Sequence, residues 1–156
     1  MPFYFTQKGY KSQIAKMSDL EMKLRELKKG IHSSFEDGGS IHDNANYETL
    51  IHEIEIVTKR LIDEQRILSQ ARVIEYPTHL EKICLGAEVL FTLDGERKKI
   101  QIVAYGESDP ELGKILYEAP LAKALIGHEP GEKITVRIGD RSRKIEVEAI
   151  GPITRS

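Results

Sequence analysis

The sequence predicts an α+β protein with an N-terminal antiparallel α-helical coiled-coil hairpin followed by a small antiparallel β-domain with one helix. Apolar residues recur at helical spacing through most of the first half of the chain. After "EYPTHL" the pattern changes to short β-branched runs separated by turn motifs. We therefore expect two domains, a hairpin at residues 1–76 and a β-domain at residues 77–156.

The spacing predicts one helix from Thr6 to about Ser33 and a second from Ala45 to about Ile74. Neither segment contains proline, and Glu64 is the single polar interruption of the second apolar stripe. Both stripes are narrow and most other positions are polar or charged, which favours one partner face per helix and hence a hairpin. The first stripe consists of Ile14, Met17, Leu20, Leu24, Leu27 and Ile31.

The segment 34–48, "SFEDGGSIHDNANYE", forms the predicted tip, with Gly38 and Gly39 in the turn and Ser40 as a possible cap of the second helix. It holds four carboxylates, and the wider window 30–58 has a net charge of about −6 without a single Lys or Arg. One interpretation is local, because acidic residues are favoured near helix N-termini. The other is functional, since a Mg²⁺ ion is often held by only one or two protein carboxylates.

The second half contains five predicted strands, within "ICLGAEVLFTL", "RKKIQIVAY", "KILYE", "KITVRI" and "RKIEVEAI". Asp94-Gly95 and Gly139-Asp140 predict β-hairpin turns. The segment "APLAKALIG" predicts a helix, with Pro120 near its first turn and Gly127 just past its end.

Composition excludes several classes of function. The net charge is −2, and no large basic surface for nucleic acid is evident. No run is apolar enough to span a membrane and the N-terminus does not resemble a signal peptide, so we expect a cytoplasmic protein. The single cysteine, Cys84, is predicted to be a core residue. His32, His42 and His52 are too widely spaced for a metal site, and no nucleophile-and-base arrangement is apparent.

Several motifs resemble the Gre family of bacterial transcription elongation factors. "FTQKGYKSQIAKM" is similar to the start of the family, and "GGSIHDNANYE" is similar to its tip pattern G-D-L-x-E-N-A-E-Y. The most specific match is "APLAKALIGHEPGEKITVRI", which follows the family's S-P-[LI]-A-x-A-L-I-G segment and the strand after it. The resemblance covers nearly the whole chain.

The resemblance implies an FKBP-like C-terminal domain that docks on RNA polymerase at the rim of its secondary channel. The hairpin then enters this channel and stimulates cleavage of backtracked RNA by the polymerase active site. The protein is expected to be no enzyme itself and to have no cofactor of its own. Its tip would share Mg²⁺ with the polymerase active centre and would meet the nascent RNA 3′ end only indirectly.

The resemblance makes Asp43 the principal tip carboxylate and the one shared Mg²⁺ ligand. Ser40 occupies the family's first tip-aspartate position, and Asp37 and Glu36 are possible auxiliaries. A basic patch that the family carries along the hairpin is missing. If a charged contact contributes about 1.5 to 3 kcal/mol, its loss predicts cleavage slower by roughly 10- to 150-fold.

Docking on the polymerase is expected at the loop "GESDPELG" and the helix "PLAKALIG". Two alternatives remain open. A divergent family member could occupy the channel and inhibit or modulate the polymerase without cleavage, or the chain could be a coiled-coil interaction module unrelated to polymerase. The expected docking residues are Asp109, Pro110, Pro120, Leu121, Ala122 and Leu125.

Overall fold

The computed structural model describes residues 2–36 and 45–153 and divides the chain into two compact units. The first unit comprises Met1–Phe3 and Tyr10–Arg72, and the second comprises Tyr4–Gly9 and Val73–Ser156. Helices dominate the first unit, and a β-sheet with one α-helix dominates the second. The predicted α+β class with an N-terminal helical hairpin is confirmed.

Two long helices, α1 (Gln7–Glu36) and α2 (Ala45–Ser69), form the hairpin. They run antiparallel, because Gln13 near the start of α1 contacts Glu64 near the end of α2. Towards the other end, a Cβ placed on Gly30 would lie 3.5 Å from the Leu50 side chain. The hairpin therefore brings residues from opposite ends of the two helices side by side.

The buried seam of α1 differs from the predicted stripe at one residue. Counting back from Met17 in the regular alternation of three and four residues reaches Gln13, not Ile14. Gln13 is 8% exposed, whereas Ile14 is 43% exposed. The placement of Ile14 in the stripe was wrong because its hydrophobicity outweighed the spacing. On α2, Glu64 is likewise buried in the seam, at 9% exposure.

The second helix is shorter than predicted. It ends at Ser69, and β2 (Ala71–Val73) then pairs with β1 (Phe3–Phe5) in a two-stranded sheet. The Ile74 amide donates a 2.7 Å hydrogen bond to the Phe5 carbonyl oxygen. The predicted extension of this helix to Ile74 was wrong because pairing with a strand far away in sequence leaves no local signal.

A five-stranded sheet in the order β5-β4-β3-β7-β6 forms the second unit. Neighbouring strands are antiparallel except for β5, which runs parallel to β4. Both predicted turns are present, and Asp94 and Gly95 adopt the positive φ angles, 50° and 86°, that a tight hairpin requires. The strands are β3 (Ala87–Leu93), β4 (Glu96–Val103), β5 (Lys114–Leu116), β6 (Lys133–Ile138) and β7 (Arg141–Pro152).

The core of the second unit packs the sheet against α3 (Pro120–Leu125), the helix predicted from "APLAKALIG". Ala122 and Leu125 of α3 are fully buried in this core. They provide the apolar face that covers the sheet. The largest fully buried residues of the core are Ile83, Val89, Phe91, Ile102, Leu125, Ile145 and Val147.

The chain start from Tyr4 to Gly9 belongs to the second unit, a feature without a sequence signal. The Tyr105 amide donates a 3.0 Å hydrogen bond to the Tyr4 carbonyl oxygen, and Phe5 is fully buried with its ring tilted against that of Tyr105. The Thr6 hydroxyl donates to Glu107 at 2.9 Å and accepts a hydrogen bond from the Gly9 amide at 3.1 Å. Thr6 thus caps the start of α1.

Candidate functional site

The acidic tip is delimited by the two helix ends. Glu36 is the last residue of α1 and α2 begins at Ala45. Asp37, Ser40 and Asp43 lie outside the described residues, as does the predicted capping by Ser40. Their roles therefore remain predictions that rest on the sequence.

The described part of α2 continues the negative charge of the tip. Glu48 lies in the first turn of the helix, where the helix dipole favours a carboxylate, and Glu53 and Glu55 follow in exposed positions. Because no Lys or Arg occurs between residues 30 and 58, no cation of this stretch offsets these charges. The tip end of the hairpin is suited to meet a cation or a basic surface.

The sequence of the tip contains oxygen donors of the kind that Mg²⁺ prefers. Carboxylate and hydroxyl oxygens are hard ligands of the kind that Mg²⁺ prefers, and Asp43, Asp37 and Ser40 would supply them. Within residues 2–36 and 45–153, no three His, Cys, Asp or Glu side chains come together as a metal cluster.

The predicted docking loop is a rigid turn that exposes two apolar side chains. Asp109 and Lys114 exchange two backbone hydrogen bonds of 2.9 Å, which close the loop at its base. Between them, Pro110–Leu112 form a 3₁₀ turn that ends at Gly113 with a φ of 71°. Pro110 is exposed and Leu112 is 68% exposed.

Leu112 was not among the docking residues predicted from the sequence. Its signal was a leucine placed between a proline and a glycine inside a turn, where no strand or helix pattern predicts burial for it. The half-buried Asp109 holds the loop through its backbone and makes no capping hydrogen bond with its side chain. The side chains of Pro110 and Leu112 are therefore the apolar surface of this loop that a partner could contact.

The expected docking residues on α3 need a correction. Ala122 and Leu125 are 0% exposed and belong to the core, so their side chains cannot contact a partner in this fold. Leu121 is partly buried against the same core, whereas Pro120 is exposed. The next residue after the helix, Ile126, is 37% exposed. A helix with so many apolar residues must bury one face, and the sequence did not distinguish that face from the outer one.

The titratable groups with clear pKa shifts in the described residues are structural in character. A backbone hydrogen bond from Lys144, together with Arg143, lowers the pKa of Asp94, and a hydrogen bond from Gln101, together with Lys99, lowers that of Glu88. Burial raises the pKa of the Cys84 thiol. A thiol with a raised pKa is a poor nucleophile. Cys84 is only partly buried and is not among the core residues, so its predicted placement in the core was wrong.

One helix-borne polar cluster was also not predicted. The Gln13 side-chain amide donates to the Glu64 carboxylate inside the hairpin seam, and the Lys16 ammonium lies 2.9 Å from the same carboxylate. Glu64 was noted only as an interruption of the stripe. Its partners could have been found by continuing the heptad spacing from Met17 back to Gln13.

Comparison with known proteins identifies the family. A family model described as "Transcription elongation factor, GreA/GreB, C-term" matches residues 77–152. Transcription elongation factor GreA from Listeria monocytogenes is 32% identical, and the match covers 90% of this chain and 96% of the relative. The chain belongs to the GreA/GreB family of transcription elongation factors. The recognition made from sequence motifs is thereby confirmed.

Other GreA/GreB relatives show the same extent of similarity. GreA from Nautilia profundicola is 32% identical, with coverage of 93% of this chain and 91% of the relative. GreA from Thermotoga petrophila is 30% identical, with coverage of 93% and 94%. The similarity therefore includes the hairpin as well as the β-sheet unit.

The solved structure of GreA factor homolog 1 (Gfh1) of Thermus thermophilus is 26% identical, and the match covers 96% of this chain and 99% of that chain, with a TM-score of 0.46. At this score the two chains do not superpose closely enough for a residue-by-residue comparison.

Within residues 2–36 and 45–153 of this chain, no α-helix is long and apolar enough to cross a membrane.

Proposed function

We propose that this GreA/GreB family member binds RNA polymerase through its β-sheet unit, inserts its hairpin into the secondary channel and weakly stimulates cleavage of backtracked RNA. The observation that carries the proposal is similarity to GreA proteins along 90% to 93% of the chain. Because the similarity covers both units, it supports docking through the β-sheet unit and insertion of the hairpin together. The protein would act in the bacterial cytoplasm.

The length and the polar surface of α1 are compatible with insertion into a channel. At about 1.5 Å per residue, the 30 residues of α1 extend roughly 45 Å. Its outer surface is polar and mostly exposed, which suits a rod surrounded by water in a channel. The tip residues would thus be carried far from the start of the helix without any change in fold.

At the tip, Asp43 would hold and orient the reacting groups while the polymerase supplies the catalytic centre. A Mg²⁺ ion bound there would activate the attacking water and stabilise developing charge on the phosphate. Ser40 offers only a neutral hydroxyl where relatives of the family pattern carry an aspartate, and Asp43 is one methylene shorter than the usual glutamate. The first difference lowers the charge brought to the site and the second shortens the reach of the carboxylate, and both support weak rather than strong stimulation.

Docking is assigned to the exposed apolar side chains of the second unit. Pro110 and Leu112 on the closed loop, and Pro120 at the start of α3, present apolar surface that packing inside the unit does not use. Apolar side chains fixed on a rigid turn lose little entropy on binding, which favours the loop as an anchor.

A second function is favoured by two sequence features. With Ser40 in the tip and no Lys or Arg between residues 30 and 58, the protein could occupy the channel and inhibit or modulate RNA polymerase without promoting cleavage. Like the main proposal, this alternative requires docking and insertion. It differs only in the chemistry at the tip.

Binding to core RNA polymerase tests what both proposals share. We expect the wild type and Asp43→Ala to be retained equally on immobilised polymerase, and Leu112→Ser to be retained at least about tenfold less. Val73→Ser is the matched control, because Val73 is also an exposed apolar residue, at 48% exposure, outside the proposed loop. Failure of the folded wild type to bind would overturn both proposals. Equal loss in the Leu112 and Val73 variants would contradict the assignment of the loop.

A further inference from the structure

A buried polar layer lies inside the otherwise apolar seam of the hairpin. Gln13 on α1 and Glu64 on α2 are 8% and 9% exposed and are hydrogen-bonded to each other. The side chain of Lys16 is 57% exposed, and its ammonium lies 2.9 Å from the Glu64 carboxylate. No buried side-chain nitrogen or oxygen among the described residues lacks a partner, so this layer is satisfied in the observed pairing.

The apolar residues of the seam do not by themselves select one pairing of the helices. Both helices repeat the same alternation of three and four residues, so sliding one along the other by a heptad again places seam positions opposite each other. Leu, Ile, Val and Met side chains accept one another at modest cost, since such exchanges mainly change volume. An apolar seam is therefore compatible with several registers.

The polar layer removes this ambiguity. In the observed register Gln13 faces Glu64, and the heptad spacing places Leu20 opposite Val57. A slip by one heptad in one direction would place Glu64 opposite Leu20, and a slip in the other would place Gln13 opposite Val57. Either slip buries a polar side chain without its partner, which is strongly unfavourable.

We propose that the Gln13–Glu64 pair, assisted by Lys16, fixes the register of the hairpin and thereby determines which residues form its tip. A single polar pair in an apolar coiled-coil seam is well suited to specify alignment at some expense of stability. The proposal goes beyond the proposed function and does not depend on RNA polymerase. Gln13 and Glu64 act as positioning residues for the tip.

Distance measurement between two spin labels tests the register directly. Labels on cysteines at the exposed positions Lys11 and Glu53, in a Cys84→Ser background, report on the two helices at different heights along the hairpin. We expect one distance in the parent protein and a second population in Gln13→Leu/Glu64→Leu. The second population corresponds to a slip of one heptad, which displaces the helices by about 10 Å along their axes.

Two further variants separate register from general stability. Glu64→Gln retains a hydrogen-bonding partner for Gln13 and should keep a single distance. Ser12→Leu/Asp63→Leu adds two leucines at neighbouring exposed positions and should also keep a single distance. Circular dichroism verifies that each variant remains helical. A single unchanged distance in a folded Gln13→Leu/Glu64→Leu protein would overturn the proposal, as would a second distance in Glu64→Gln.

Moving the layer provides a rescue. Adding Leu20→Gln and Val57→Glu to Gln13→Leu/Glu64→Leu places a polar pair one heptad further along the hairpin without changing the register. Lys23 then stands in the same relation to the new pair as Lys16 does to the natural one. We expect the single parental distance to return. Persistence of two distances in the folded rescue variant would show that a polar pair does not fix the register, and the proposal would be wrong.

Discussion

Two glycines of α1, Gly9 and Gly30, differ in what an added side chain would contact. A Cβ at Gly9 would lie 2.6 Å from the Tyr105 carbonyl oxygen, a separation that real Cβ atoms do not show. A Cβ at Gly30 would meet the Leu50 side chain at 3.5 Å, an ordinary contact. Gly9 therefore permits a close backbone approach within the second unit, whereas Gly30 only reduces helix propensity.

The two glycines make a matched prediction. We expect Gly9→Ala to lower the free energy of unfolding by about 1 to 3 kcal/mol, because the backbone must shift. Gly30→Ala should raise it by roughly 0.5 to 1 kcal/mol through helix propensity. Urea denaturation followed by circular dichroism measures both changes. Equal effects of the two substitutions would contradict the close approach at Gly9.

The contribution of Asp94 to the stability of the fold should depend on pH. Its pKa is lowered in the folded protein from an ordinary value of 3.8 by the Lys144 backbone amide, 2.9 Å away, and by Arg143. A lowered folded pKa means that its contribution to stability is present above pH 3.8 and is lost as the pH falls through the lower folded value.

Asp94→Asn should retain the turn, because asparagine also tolerates the positive φ of this position. We expect the wild type to have the higher melting temperature at pH 6 and the difference to shrink as the pH falls below the ordinary value of 3.8. Thermal unfolding at a series of pH values measures the difference. A constant difference across this range would exclude an ionised Asp94 as its source.

The burial of single residues was predicted well from their spacing along a helix and poorly from their residue type. The four-three alternation determines the seam, and it selects the polar Gln13 over the apolar Ile14. On α3, the residue types suggested docking at Ala122 and Leu125, but a six-residue helix must first cover the sheet. Motif resemblance identifies which residues recur in a family and does not say whether they face a partner or the core.

At the scale of elements, the loop 106–113 exposes its leucine to solvent, whereas α3 buries one of its leucines in the core. Leu125 is fully buried in α3, whereas Leu112 is 68% exposed on the loop. We expect Leu125→Ala to lower the free energy of unfolding by about 2 to 5 kcal/mol and Leu112→Ala to leave it within about 0.5 kcal/mol. Denaturant unfolding of the two variants checks the contrast. A large loss in Leu112→Ala would show that the loop leucine is part of the packing.

The long elements and two short ones, β5 and α3, could be predicted from the sequence, whereas β1 and β2 could not. The two helices and the strands joined by Asp94-Gly95 and Gly139-Asp140 carry many residues in phase or a specific turn pair. By contrast, β1 and β2 have only three residues each and exist because segments far apart in sequence pair with each other. The parallel pairing of β5 with β4 is likewise a property of the tertiary fold.

At the scale of the whole molecule, the family and the two-part organisation follow from the sequence, and the proposed activity depends on the tip. The similarity to GreA covers both units, but Ser40 departs from the family pattern at a position expected to carry a charged ligand. The loss of one carboxylate should lower the rate of stimulated cleavage.

The most direct test is single-turnover RNA cleavage in a stalled, backtracked elongation complex of the cognate polymerase, at saturating protein. We expect the wild type to stimulate cleavage, Asp43→Asn to abolish the stimulation, and Ser40→Asp to increase it by roughly 10- to 150-fold because a charged ligand is restored. Demonstrated binding of all three proteins is the control. No stimulation by bound wild-type protein would contradict the account and favour the alternative in which the hairpin occupies the channel without cleavage.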